Sequence, residues 1–269
     1  MRMYSLGFKV LNKINRFISL FIRKLSLIRA YLTNAACYIF LGGGLRSYLS
    51  SLFSHYYLKQ PYYENSRFME KLALSYSAKL PISAIIRTKN DSHVLELSIL
   101  SALTICEEVV VVLNCCTDSS REIVSRLSEK YERIRMYEYP FDLAQAGTNY
   151  KEQLRGKKSL SEFYNFSFSK GKSNYLMKWD SDMIALPGAK KHLARAVMAN
   201  PDLIIFDGLD AFGVFTCMPE IRIFRSSLCW RFVDGPTCEE IVFGESRSIA
   251  RKCIFSPIYA HFKLQKMFA

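Results

Sequence analysis

The sequence predicts an α/β protein whose mostly parallel sheet is covered by helices and preceded by a basic helical arm. Three observations carry that prediction. Short β-branched runs such as Ile82–Ile86 and Val109–Val112 alternate with helical periodicity from residue 81 onward, and unbroken apolar strands of this kind are buried on both faces of a parallel sheet. Each run is followed by a polar loop, at the carboxyl strand end where such sheets bind ligands. A third run, Tyr175–Leu186, carries Asp180 and Asp182 at i and i+2 and stops at Pro187-Gly188, so two carboxylates converge at one strand end.

Composition bounds the function classes. The chain has 269 residues, 50% of them hydrophobic and 14% aromatic, enough for a packed core and against disorder. The formal charge of +13 is uneven: residues 1–80 hold 12 Lys+Arg and 2 Asp+Glu, a net +10, and no acidic residue precedes Glu64. The eight cysteines, Cys37, Cys106, Cys115, Cys116, Cys217, Cys229, Cys238 and Cys253, show no Cys-x-x-Cys pair. They read as buried free thiols in a reducing compartment rather than as a zinc site or a disulfide framework.

In the first segment, Leu6, Phe8, Ile14, Phe17, Ile18, Phe21, Ile22 and Leu25 interleave with Lys9, Lys13, Arg16, Arg23 and Lys24. This is a basic amphipathic helical pattern. Three readings fit it: residues 1–45 on an anionic membrane surface, an apolar side packed on the following domain, or a nucleic-acid arm. The first is favoured, because large aliphatic residues beside cations suit a lipid interface. A nucleic-acid partner is not expected, since such arms carry more cations and fewer large aliphatics. The longest uncharged run, Ala30–Leu45, has 16 residues and three glycines, short of the roughly 20 needed to span a bilayer. No cleavable signal peptide is predicted, as cations interrupt the apolar stretch. Residues 42–80, with Gly42-Gly43-Gly44 and a tyrosine-rich stretch, read as a linker, so the domains are 1–80 for the arm and linker and 81–269 for the catalytic domain.

From Pro81 the elements follow in order. Ile82–Ile86 is a strand, Arg87-Thr88-Lys89-Asn90-Asp91 a polar loop, and His93–Leu103 a helix. Glu108–Leu113 is a second strand, followed by the loop Asn114-Cys115-Cys116-Thr117-Asp118-Ser119-Ser120 and a helix through Tyr131. A close carboxylate pair at a strand end suits a hard divalent cation, which takes one or two protein carboxylates and fills its shell from phosphate oxygens. An Asp-x-Asp on its own is common in solvated loops and turns, and it is the accompanying motifs that raise it to a site.

Taken together, these motifs resemble family 2 glycosyltransferases of the GT-A fold, in the subgroup whose first loop reads Thr-Lys-Asn-acid. The likeness runs through Ile82–Asp91, Val109–Val124, Phe163-Tyr164-Asn165, Ser169–Lys172 and Tyr175–Met183. It continues through Ile221–Arg225, Trp230-Arg231-Phe232, Thr237–Glu240 and Ile258–Lys263, covering about residues 81–263. It implies a nucleotide-sugar donor with Arg87, Thr88, Asn90, Asp91, Asn114, Asn165 and Asp180 at the nucleotide. It also implies Mn2+ or Mg2+ held by Asp182, with Asp180 and His261 as further ligands, and inverting transfer with Glu239 as the general base and Glu240 as second choice. Two positions depart from the family: Asn114 stands where many relatives have an aspartate touching uracil, and Tyr164 where many have an arginine. Both leave the base open.

The expected protein is therefore a membrane-associated, metal-dependent glycosyltransferase acting on a lipid-linked or envelope polysaccharide or lipopolysaccharide acceptor, cytoplasmic and peripheral at the inner face. A sugar nucleotidyltransferase is the enzymatic alternative, although the first loop lacks the glycines of a phosphate cradle. A noncatalytic scaffold or lipid-binding protein is the other. Truncation near Tyr76 is expected to release the protein from anionic vesicles in a sedimentation assay; unchanged binding of the truncated chain would rule out the anchor.

Overall fold

The β-branched runs pair as parallel strands. The computed structural model describes residues 79–210, 219–244 and 246–262, and the predicted arm and linker lie outside them apart from Lys79 and Leu80. The elements are β1 (Leu80–Thr88), α1 (Ser92–Ile105), β2 (Cys106–Leu113), α2 (Ser120–Lys130), β3 (Ile134–Glu138), α3 (Tyr150–Gln153), α4 (Leu160–Phe168), β4 (Tyr175–Asp180) and β5 (Met183–Ala185). They continue with α5 (Ala189–Met198), β6 (Leu203–Phe206), β7 (Gly208–Asp210), β8 (Glu220–Arg225), β9 (Trp230–Asp234), β10 (Glu239–Phe243), β11 (Arg251–Cys253) and β12 (Tyr259–His261).

Seven strands form one mixed sheet in the order β11-β6-β8-β4-β1-β2-β3. β1 lies between β2 and β4, parallel to both, with Arg87 opposite Val112 on one side and Asp180 on the other. Only β8 runs against its neighbours, β4 and β6. On one face Ile85, Val110, Val112, Leu176 and Phe224 pack with Phe163 and Phe168 of α4 and Phe232 of β9. Helix α4 starts where it does because Ser159 and Glu162 form a capping box: Ser159 Oγ accepts from the Glu162 amide at 3.1 Å and Glu162 returns the bond to the Ser159 amide. Helix α1 is buried nearly all round, with Leu95, Ile99, Ala102 and Leu103 fully covered.

Three sequence expectations change. β1 runs on through Arg87 and Thr88, so these two belong to a strand, and only Lys89-Asn90-Asp91 is loop. The apolar run Tyr175–Leu186 is two strands in different sheets: β4 ends at Asp180, the chain turns at Ser181-Asp182, and β5 joins a three-stranded sheet with β12 and β7. The turn is secured from inside, where buried Trp179 donates its indole N–H to the Met183 carbonyl at 3.2 Å. The cysteines are free as expected among the described residues, yet only Cys106 is buried, while Cys115, Cys229 and Cys253 are exposed; Cys37 and Cys217 lie outside the described residues. No helix among the described residues is long and apolar enough to cross a membrane.

The small sheet brings the chain's end back to the middle. β12 pairs antiparallel with β5, setting His261 opposite Met183, and parallel with β7. Gly208 is required here, because a Cβ would come within 2.6 Å of the Tyr259 carbonyl oxygen and closer still to its ring. Beside it, burial pushes the Asp207 carboxyl from 3.8 up to about 6, and its Oδ1 has no hydrogen-bond partner among the described residues. Its contribution to stability is complete below 3.8, where both states are protonated, and is lost as pH rises through 6 and the buried group must ionise. Asp207→Asn is therefore expected to stabilise by about 1 kcal/mol at pH 8, after allowance for partial solvation, with the gain vanishing by pH 4. Melting temperatures at the two pH values check it, and an equal shift at both would contradict the assignment.

Candidate active site

The carboxyl ends of β1, β2 and β4 open onto a cavity of about 450 Å³, at the edge where parallel sheets bind ligands. β1 and its loop contribute Arg87, Thr88, Lys89 and Asp91, and Asn114 follows β2. Tyr164 and Phe163 come from α4, Asp180, Ser181 and Asp182 from the β4–β5 turn, and His261 from β12, while residues 143–146 close one side.

Asp180 is the electrostatic centre. Its Oδ1 accepts from Arg87 Nη2 at 3.0 Å and its Oδ2 from Arg222 Nη1 at 2.9 Å. Burial opposes its charge, but Arg222, Arg87 and Lys178 outweigh that and hold the carboxyl well below the usual carboxylate range. Each arginine is braced in turn. Arg87 lies flat over Tyr164, 3.9 Å from its ring centre, with Phe168 beyond. Arg222 also reaches Tyr259 Oη at 3.1 Å and Glu220 at 3.2 Å.

Asp182 takes a different environment although only one residue separates it from Asp180. Its Oδ1 lies 3.0 Å from His261 Nε2, and both side chains are largely buried. The Phe262 amide donates to the Asp182 carbonyl at 2.9 Å, which fixes the turn to β12. Asp91, the residue before α1, receives the hydroxyls of Thr88 at 3.2 Å and of Ser181, tying the first loop to the same turn.

Among the described residues no cluster of three or more His, Cys, Asp or Glu is placed to hold a metal alone. Asp180 has each oxygen on a guanidinium, so the ligand set offered to a cation is Asp182 with His261. One carboxylate and one imidazole in a polar cavity fit a hard divalent ion that completes its shell with phosphate oxygens.

Of the sequence-predicted nucleotide residues, Arg87, Thr88, Asp91, Asn114 and Asp180 line the cavity, and Asn90 and Asn165 do not. Asn90, in the left-handed region at φ 60°, exchanges two hydrogen bonds with Thr117 and joins the loops after β1 and β2. Asn165 clamps α4 to β9, donating to the Phe232 carbonyl and accepting from its amide, both at 2.9 Å. Both are correctly placed structural braces rather than cavity-facing groups.

Glu239 and Glu240 occupy the extended strand β10, where neighbours face opposite ways. The Glu239 side chain is 9% exposed and lies 3.5 Å from Lys178; it does not line the cavity, whereas Tyr164, whose phenol feels the Glu239 charge, does. Burial pushes that phenol well above its usual range. Glu240 is exposed and leans on Gly235. Sequence reasoning assigned no role to Arg222 or Lys178, the two cations that complete the network. The signal for Arg222 was a charged residue inside the apolar strand Ile221–Phe224.

The family profile described as beta-1,4-N-acetylgalactosaminyltransferase (CgtA) matches residues 63–201, just over half of the chain. The chain belongs to the CgtA family. That family's description is of a glycosyltransferase, and the match takes in every cavity residue from Arg87 to Asp182. Glu239, Glu240 and His261 lie beyond it. No curated protein matches this CgtA-family chain. Similar solved structures include TarS 1-349 from S. aureus, 13% identical over 70% of this chain and 62% of that one, with a TM-score of 0.48. A second is the mannosyltransferase PcManGT from Pyrobaculum calidifontis in complex with GDP-Man and Mn2+, 14% identical over 60% and 46%, with a TM-score of 0.36. The chain thus spans less than two thirds of either structure.

Asn165→Ala leaves the Phe232 backbone amide and carbonyl unpaired, and is expected to lower stability by about 2 kcal/mol in urea denaturation with nucleotide affinity of the folded protein unchanged. A variant of wild-type stability that had lost nucleotide binding would return Asn165 to the ligand.

Proposed function

We propose that this chain transfers N-acetylgalactosamine in β-1,4 linkage from a nucleoside-diphosphate donor to a glycan hydroxyl, within a GT-A-type site. The observation that carries the reading is the Asp182–His261 pair, buried beside Asp180 at the carboxyl edge of the sheet, in a chain of the CgtA family. Asp182 and His261 would hold Mn2+ or Mg2+, which when bound supplies positive charge to the leaving diphosphate.

The chain's own groups supply the rest. Asp180, immobilised by two guanidiniums, keeps a lone pair on each oxygen to accept ribose hydroxyls. Thr88 and Asp91 shape the nucleotide end of the cavity. Glu239 is the base, acting through Tyr164, which lines the cavity: as the acceptor oxygen bonds to the anomeric carbon, its proton passes to the Tyr164 hydroxyl oxygen while the Tyr164 proton moves to the Glu239 carboxylate, and the bond to the diphosphate oxygen breaks, its electron pair leaving with the diphosphate. Tyr164 and Lys178 orient that carboxylate. A β product from an α-linked donor requires inversion, which one displacement with one base provides. Glu240 faces away and takes no part.

The acceptor reading rests on the basic arm alone: residues 1–45 on an anionic inner leaflet would bring the site to lipid-linked or envelope glycans. Against a sugar nucleotidyltransferase stands the glycine-free turn Lys89-Asn90-Asp91, and a noncatalytic scaffold would bind no metal–nucleotide complex.

Purified protein with Mn2+ is expected to release nucleoside diphosphate from an activated N-acetylgalactosamine faster than from glucose or mannose donors. Asp182→Ala should weaken metal-dependent donor binding more than about a hundredfold in calorimetry, more than a supporting residue would. A folded protein that neither binds nor turns over any such donor would defeat the proposal.

A further inference from the structure

Two thiols stand side by side directly after the cavity residue Asn114, and core packing does not account for them. Cys115 is exposed and Cys116 half-buried. The backbone of Cys115 lies in the left-handed region at φ 45°, a conformation that suits glycine or asparagine and costs a cysteine energy. That turn wraps both sulfurs around one residue. Cys115 Sγ lies 3.9 Å from the Asn114 side-chain nitrogen, while Cys116 Sγ lies 4.0 Å from the Asn114 carbonyl oxygen and donates to the Thr88 carbonyl at 3.6 Å.

Asn114 and Thr88 both line the cavity. The Asn114 backbone amide donates to the Thr88 carbonyl at 2.9 Å, and a little further on Asn90 and Thr117 exchange two hydrogen bonds. The dithiol thus lies between two clips that join the loops after β1 and β2. A change in its covalent state is passed to the cavity wall instead of being absorbed by slack chain. Asn114 makes that wall sensitive: its side chain is 1% exposed and lines the cavity, and its Oδ1 has no hydrogen-bond partner among the described residues. A group bound in the cavity depends on where that oxygen stands.

The two sulfurs differ as a sensing pair requires. An accessible thiol beside a second one is the arrangement in which a sulfenic acid, once formed, is resolved to a disulfide. Cys115 is open to an oxidant, whereas burial pushes the Cys116 thiol up and keeps the proton on its sulfur. We propose that Cys115 and Cys116 form a reversible redox site that takes a peroxide as oxidant and closes to a vicinal disulfide. The Cys115 sulfur attacks one peroxide oxygen, the O–O bond breaks, and a water leaves behind a sulfenic acid. The Cys116 sulfur then attacks the Cys115 sulfur, the S–O bond breaks, and the hydroxyl departs with the Cys116 proton as a second water. Two thiols are oxidised and one hydrogen peroxide is reduced. Adjacent Cα atoms lie about 3.8 Å apart, against roughly 5.5 Å in a relaxed bridge, so this bond is strained and belongs with the labile, regulatory disulfides. Closing it takes the Cys116 S–H from Thr88 and resets the loop beneath Asn114. The bond stands on the thiols alone; its consequence, a weakened donor site, rests on the cavity being the nucleotide-sugar site.

Full-length protein treated with hydrogen peroxide, then freed of it, alkylated and digested, tests the site. The peptide carrying Cys115 and Cys116 is expected to lose the mass of two hydrogens, to refuse the alkylating reagent and to regain both thiols with a phosphine reductant, under conditions that leave the exposed Cys229 and Cys253 alkylatable. In Cys116→Ser a dimedone-type probe is expected to mark a sulfenic acid at Cys115. Calorimetry with UDP and GDP in the presence of Mn2+ is expected to show binding at least about tenfold weaker after oxidation and restored by reduction, with Cys115→Ser keeping its affinity through peroxide. The wild-type masses and affinities decide alone should a variant fail to fold. A Cys115 that stays alkylatable at doses that consume Cys229 and Cys253, a bridge to another cysteine, or a vicinal bond that leaves nucleotide affinity unchanged would overturn the switch and leave the transferase reading standing. Reduced wild type that binds neither nucleotide would instead defeat the transferase reading, while the peptide masses still decide the redox site.

Discussion

The site depends on one carboxylate held between two guanidiniums. Asp180 comes from β4, Arg87 from β1 and Arg222 from β8, so a single buried charge triad spans three adjacent strands. The guanidiniums are 6% and 5% exposed and the carboxylate 28%, so losing Asp180 would leave two buried cations unpaired, and breaking a buried pair typically costs about 3–5 kcal/mol. The triad thus forces β1, β4 and β8 into register at their ligand-facing ends. It also leaves Asp182 paired with His261 rather than with a guanidinium, so two chemically equal residues of one motif stand in different electrostatic environments.

Beneath this polar rim lies an aromatic floor. Phe163, Phe168, Phe224 and Phe232 form the apolar cluster on the α4 face, and the same face turns polar one residue pair higher, at Arg87, Lys178 and Asp180. Tyr164 belongs to both layers: its ring carries Arg87 and its hydroxyl meets Glu239. Packing and electrostatics are therefore coupled at one side chain. A tyrosine suits that place because its ring stays uncharged under a cation and its hydroxyl still donates.

Much of this was legible in the sequence. The β-branched runs announced the parallel strands, because a strand covered on both faces must be apolar throughout, and Asp180, Asp182 and His261 were singled out before their contacts were known. What stayed hidden was long-range pairing. Nothing near Asp180 in the sequence marks Arg222 as its partner 42 residues on, and the run Tyr175–Leu186 conceals a turn because both strands it contains are apolar. Asn90 and Asn165 were read as ligand groups from resemblance, yet a side-chain amide that donates and accepts is equally suited to bracing backbone, as both do here. The cysteines misled in the same way: thiols pack well in cores, but among the described ones only Cys106 is buried in one.

The Asp182–His261 pair joins residues 79 positions apart, and β12 is the last described strand. The pair cannot close until that strand has inserted between β5 and β7. During synthesis the sheet from β1 to β4, built of nearer neighbours, has the means to form first. A chain that stopped before β12 would therefore present the cavity edge of β1, β2 and β4 without the imidazole that Asp182 meets.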